Sequence, residues 1–237
     1  MKFIELSKGT MACEDKESFL QNLLCRIFFM WLQKALLSIS MIALFFYFYF
    51  YFLQHNLFEM TTIPKTWIDE LVSFDPIFFY VYVSLWVYLS LSMAIIKNKE
   101  ELRSYLLYLA ALGTMAILFY IFFPTTIIQD IHTSKDDMLQ IIKDIDMAGN
   151  AFPSMHVASS LFAFIWLHMH LKNIGAPLFL KLFNAIWFAL IVYSTMAINQ
   201  HLFIDVLGGI LFGLPVSLLA IKKFNSCGTL PRKHPSS

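Results

Sequence analysis

The apolar residues of this chain fall into long blocks, and block length is the tightest constraint on its fold. Six blocks stand out: Ala35–Leu53, Pro76–Ile96, Tyr105–Phe123, Met155–Leu171, Pro177–Ile198 and His201–Ile221. A helix rising 1.5 Å per residue needs about 20 residues to cross a hydrocarbon core about 30 Å thick. Backbone polar groups inside lipid must be satisfied within the segment, which makes such blocks helices. The expected fold is therefore all-α, a polytopic membrane protein with six transmembrane helices. Met155–Leu171 is the shortest block and carries the weakest hydropathy signal. The chain divides into an N-terminal segment 1–34, a membrane domain 35–221 and a tail 222–237.

Composition supports this reading and excludes others. Hydrophobic residues make up 59% and charged residues 14%, against about 45–50% and about 25% in soluble domains. A net charge of +1, with no basic stripe, removes nucleic acid as a partner. There is no glycine-rich phosphate loop, nucleotide fingerprint or internal repeat. Cys13, Cys25 and Cys227 sit near the ends in no metal-ligand spacing and read as plain thiols. A mixed-charge stretch precedes the first apolar block and no small-residue cleavage site follows it, so that block is expected to remain as an anchor.

Orientation follows from the basic residues of the flanks and loops. All but Lys65, Lys135 and Lys143 of the 17 Lys and Arg residues fall on one side. That side, with both termini, is expected to be cytoplasmic. The outer loop Pro124–Ser154 carries Asp130, Asp136, Asp137, Asp144 and Asp146. It matches no calcium-loop spacing and reads as solvated. Phe45–Phe52 (FFYFYFYF) reads as an interfacial aromatic belt. Gly209 and Gly213 form a small-xxx-small pair expected to let a neighbouring helix of the same chain approach. His168 and His170 have no carboxylate at helical spacing and read as interfacial.

Two short segments carry chemistry. In HLFID, His201 and Asp205 lie four residues apart, one turn apart on one helix face. A carboxylate there can accept a ring N–H, fix the tautomer and make the other nitrogen more nucleophilic. In FPSMH, Ser154 is a candidate N-cap, and His156 falls in the first turn of the next helix, where free N–H groups favour a phosphate. The charge-derived topology puts both histidines on the non-cytoplasmic face. Two histidines and an Asp, without a cysteine or metal cluster, suit an imidazole nucleophile attacking phosphorus and a second imidazole protonating the leaving oxygen. No metal or organic cofactor is required.

These segments resemble the type 2 phosphatidic acid phosphatase superfamily, which includes lipid phosphate phosphatases, sphingomyelin synthases and inositol phosphorylceramide synthases. Its three blocks are K-x6-R-P, P-S-G-H and S-R-x5-H-x3-D. Pro153-Ser154-Met155-His156 matches the second. Ser194-Thr195, five residues, His201, three residues and Asp205 match the third. The resemblance implies the six-helix core, a nucleophilic His201 oriented by Asp205, and His156 as the acid. The first block is missing: its place holds Phe122-Phe123-Pro124-Thr125-Thr126, and Thr195 replaces the Arg of the third. Pro124, Thr125, Asn150, Ser154, Asn199 and Gln200 are then the candidate substrate-binding residues, with Asn150, Asn199 and Gln200 as neutral donors in place of the family's cations. The pattern is similar to the synthase-like branch, resembling inositolphosphotransferases and sphingomyelin synthases. It implies a lipid phosphotransferase or phosphodiesterase acting on phospholipid or sphingolipid head groups. A phosphatase for phosphatidic acid or an isoprenoid diphosphate, and a non-catalytic transporter or scaffold, stay open as alternatives.

Overall fold

The computed structural model describes residues 19–128 and 149–226. The acidic outer loop, with Lys135 and Lys143, and most of both terminal segments lie outside the described residues. In chain order the elements are α1 (Phe19–Phe28), α2 (Trp31–Gln54), β1 (Thr61–Ile63), α3 (Trp67–Leu71), α4 (Phe78–Val83), α5 (Leu85–Ala94), α6 (Lys99–Phe122), β2 (Thr125–Ile127), α7 (Met155–Asn173), α8 (Leu178–Ala197) and α9 (Phe203–Ser226). Four of these helices, α2, α6, α8 and α9, are long and apolar enough to cross a membrane. The protein is a helical integral membrane protein.

The helix with the weakest hydropathy signal lies at the centre. α7 packs against α9, α8, α5 and α6. Protein rather than lipid surrounds it, so its polar residues carry little penalty. The Ser159 and Ser160 hydroxyls donate to Met155 O and Val157 O one turn back, at 2.6 and 3.0 Å. Ala158, Phe162 and Trp166 meet Tyr105, Leu112 and Val216 in the main core. Tyr88 on α5, Asn184 on α8 and the Phe164 carbonyl on α7 form a buried polar tie.

Glycine sets the α7–α9 distance. A Cβ on Gly209 would lie 2.5 Å from Ser154 O, and one on Gly213 would lie 2.8 Å from Ala158 O. A larger residue at either place pushes the two helices apart. The small-residue pair thus serves packing within the chain, as its spacing predicts.

At the other end of α7, a buried charged cluster replaces what the sequence reads as an interfacial histidine. His170 Nε2 lies 2.6 Å from Glu101 Oε1, and its Nδ1 lies 3.4 Å from Arg26 Nη1. Arg26 Nε donates to Asn22 Oδ1 at 2.6 Å. Lys34 Nζ donates to the carbonyls of Arg26, Ala94 and Ile96 at 2.7, 2.8 and 2.7 Å. The His170 ring thus lies between the Arg26 guanidinium and the Glu101 carboxylate. The carboxylate comes from α6, so no spacing within α7 could disclose it. Cys25 of α1 is disulfide-bonded rather than a plain thiol; the spacing of the cysteines does not disclose it.

Candidate active site

The end of α7 that carries His156 is fixed by caps and loop contacts. Ser154 is its N-cap, with Oγ accepting from Val157 N at 3.3 Å. The preceding loop is held by Tyr120 Oη donating to Pro153 O at 2.7 Å and by Phe152 N donating to Thr125 Oγ1 at 2.9 Å. The His156 ring stacks on Tyr82 with centroids 4.3 Å apart. This contact fixes the plane of the imidazole.

His201 sits in the turn between α8 and α9. The N–H groups of Gln200 and His201 both donate to Thr195 O at 3.0 Å. Two carboxylates then secure the start of α9. Asp205 Oδ2 accepts from Leu202 N, and Asp69 Oδ1 accepts from Phe203 N, each at 2.7 Å. Asp69 Oδ2 also accepts from Thr66 N and Thr66 Oγ1 at 2.7 Å, closing the capping box of α3. One side chain thereby joins the loop after β1 to the turn that carries His201. Sequence reasoning missed Asp69: the Thr-x-x-Asp box is legible, but its bond across 134 residues is not.

The turns bring His156, His201 and Asp205 together. His201 Nε2 lies 3.3 Å from His156 Nδ1, and His201 Nδ1 lies 3.8 Å from Asp205 Oδ2. The second distance is an ion-pair approach, longer than a hydrogen bond. Asp205 is fully buried and Oδ1 has no hydrogen bond among the described residues. It thus keeps an acceptor for an imidazolium. The first distance means that a phosphoryl group reaches Nε2 only by parting the two rings. Catalytic hydrogen bonds commonly tighten in the substrate complex.

The other expected site residues separate into two groups. Asn150 is 2% exposed with φ of 53°. Neither amide atom has a partner among the described residues, and the residue lines a cavity shared with His156 and His201. Gln200 is equally buried, and its amide is also without a partner. Asn199 lines a second cavity beside His201. By contrast, Pro124 O accepts from Thr61 N in the β1–β2 pairing. The Thr125 and Ser154 hydroxyls are engaged as above, and none of these three lines either cavity. Thr195 Oγ1 donates to Val192 O at 2.8 Å, so only its carbonyl serves the site.

The larger cavity encloses about 740 Å³, within the usual range for a small-molecule site. Phe45, Phe46, Tyr49 and Phe50 of α2 line it, and among the described residues no Lys or Arg does. The FFYFYFYF run is thus a cavity wall as well as an aromatic stretch, a correction to its reading as a belt alone. Aromatic composition does not disclose which face borders a space.

A family model described as the PAP2 superfamily matches residues 103–228. The chain belongs to the PAP2 superfamily. The PAP2 match runs from within α6 past the end of α9. It contains His156, His201 and Asp205 and leaves Asp69 and the first five helices outside. PAP2 membership carries phosphatase- or phosphotransferase-type activity on lipid phosphates. No curated protein and no solved structure matches the chain.

Proposed function

We propose that this PAP2 protein transfers or hydrolyses the phosphodiester head group of a membrane phospholipid or sphingolipid. His201 Nε2 attacks phosphorus and the P–O bond to the lipid alcohol breaks. His156 gives its proton to the departing oxygen, and the phosphoryl group with its head group remains on His201. An acceptor hydroxyl or water then loses its proton to His156 and attacks phosphorus, freeing His201. Asp205 stabilises the charged ring in both steps.

The observation that carries this reading is the wall of the larger cavity: two histidines 3.3 Å apart, a buried carboxamide and, among the described residues, no Lys or Arg. A phosphomonoester carries about −1.5 to −2 charges near neutrality and calls for cationic clamping. A phosphodiester carries about one, which carboxamide donors such as Asn150 can meet more nearly. A second reading, hydrolysis of a lipid phosphomonoester, is favoured by Lys65 in the smaller cavity beside His201.

In this proposal six segments span the membrane. The apolar stretch Phe78–Ala94 and α7 join the four longer helices. The Lys- and Arg-rich end is cytoplasmic and the site faces the other side. The deciding assay supplies the purified chain with phosphatidylcholine, phosphatidylinositol or phosphatidic acid, with ceramide or diacylglycerol as acceptor. Head-group transfer or release supports the proposal. Free phosphate from phosphatidic acid alone overturns it in favour of the second reading.

A further inference from the structure

His201 lines two cavities, and they differ in kind. The apolar one, shared with His156, is walled by α2, α4, α5 and α6. The other encloses about 340 Å³ and is lined by Lys65, Asp69, Glu70, Ser73, Asn199 and His201, among others. His156 is absent from its lining. His201 is 7% exposed, and its Nδ1 has no hydrogen-bond partner among the described residues. Lys65, Glu70 and Ser73 are exposed, so a polar rim leads down to a buried imidazole.

We infer that this smaller cavity holds the head group of the substrate, and that it takes a small polar group without negative charge, a polyol or an ammonium. The inference rests on the proposed phosphodiester chemistry and names the head-group class that chemistry accepts. Three observations support it. The acid His156 borders only the apolar cavity, so the departing lipid alcohol belongs there. The head group leaves phosphorus in another direction, and the smaller cavity is the space His201 offers elsewhere. Its volume lies at the low end of ligand sites and well above the ~30 Å³ of a water molecule. Finally, two carboxylates, Asp69 and Glu70, face one ammonium, Lys65. Asp69 is committed to the backbone of Phe203 and to Thr66, and Glu70 lies exposed at the rim. An additional anion is disfavoured, whereas hydroxyl groups or a cation find acceptors.

The wall is this chain's own. Lys65, Asp69, Glu70 and Ser73 precede the residues that match the PAP2 model, 103–228. They are held over the site by the parallel β1–β2 pairing and by the Asp69 bond to Phe203 N. A segment outside the family core thereby forms a specificity wall beside the common histidines.

The test compares lipids with identical tails in mixed micelles, using the full chain and Ser73→Trp. The substrates are phosphatidylinositol, phosphatidylcholine and phosphatidylmethanol, a diester whose head group is a single methyl. Ser73→Trp is expected to lower kcat/KM for the inositol or choline lipid, relative to phosphatidylmethanol, by about tenfold or more, as a filled specificity pocket does. The ratio is taken within one preparation, so loss of folded protein cancels. An unchanged ratio overturns the head-group site and leaves the phosphodiester reading intact. Wild-type inactivity on all three diesters overturns both. Wild type is also expected to be slower on phosphatidylinositol phosphate than on phosphatidylinositol, and the opposite preference overturns the assignment of charge class.

Discussion

α7 carries a buried polar cluster at each end, and the two are completed in opposite ways. His156 and His170 are 14 residues apart, about 21 Å along the helix. Around His170 the charged groups are drawn into contacts: Glu101 Oε1 lies 2.6 Å from the ring, Arg26 reaches Asn22 and the Ile95 carbonyl, and Lys34 reaches three carbonyls. Around His156 the polar atoms are left over. Both amide atoms of Asn150, both of Gln200, His201 Nδ1 and Asp205 Oδ1 have no hydrogen bond among the described residues. A buried polar group without a partner costs about 1–3 kcal/mol. Tolerating several in one place is understandable where a substrate completes them. The first cluster ties helices to one another, and in the proposed function the second is completed by the substrate.

Substitutions can break or sharpen that contrast. His201→Ala is expected to lower turnover by at least ~10⁴-fold, as loss of a nucleophile does, with an unchanged melting temperature. Substantial residual head-group release from a labelled lipid would sink the proposed role. His156→Ala is expected to cost about 10²–10⁴-fold. The deficit should shrink for a nitrophenyl ester, whose leaving group needs no proton, and an equal deficit on both substrates argues against the acid role. Glu101→Ala should do the reverse. It strips a buried cluster of its anion, and the expected destabilisation of about 3–5 kcal/mol is read as a lower denaturation midpoint. Activity per folded molecule should be retained. Asn150→Ala is the mildest and the most discriminating. Loss of a preorganised phosphoryl donor predicts about a 10²-fold fall in turnover, with a stability loss no larger than the ~1–2 kcal/mol that Ala costs in the left-handed conformation of this residue. A stability loss without a rate effect would move Asn150 into the structural class.

The sequence discloses features whose signal lies within a single helix or turn. Apolar blocks mark the long helices, Ser154 marks an N-cap, and Gly209 and Gly213 mark a close approach; His201 and Asp205 do come near each other, but His201 lies in the turn before α9 rather than on a shared helix face. What it conceals is pairing between distant segments. Asp69 bonds a backbone N–H 134 residues away, and Glu101 meets His170 from another helix. Hydropathy understates α7 because it scores residues as if lipid surrounded them. Thr125 illustrates the opposite error. A hydroxyl near an expected phosphate site is here spent on the backbone of Phe152.

α2 has a kinetic consequence. It packs on α5 and α6, and Leu44 and Phe48 border the apolar cavity while also lying exposed on the outer surface, as does Leu118 of α6. A molecule approaching by this route arrives sideways, from within the leaflet. Its supply then depends on how crowded the bilayer plane is with substrate rather than on the amount per litre. Diluting a substrate lipid with inert lipid, at constant bulk concentration, should therefore slow the protein, and adding more vesicles of fixed composition should not speed it once all of the protein is embedded.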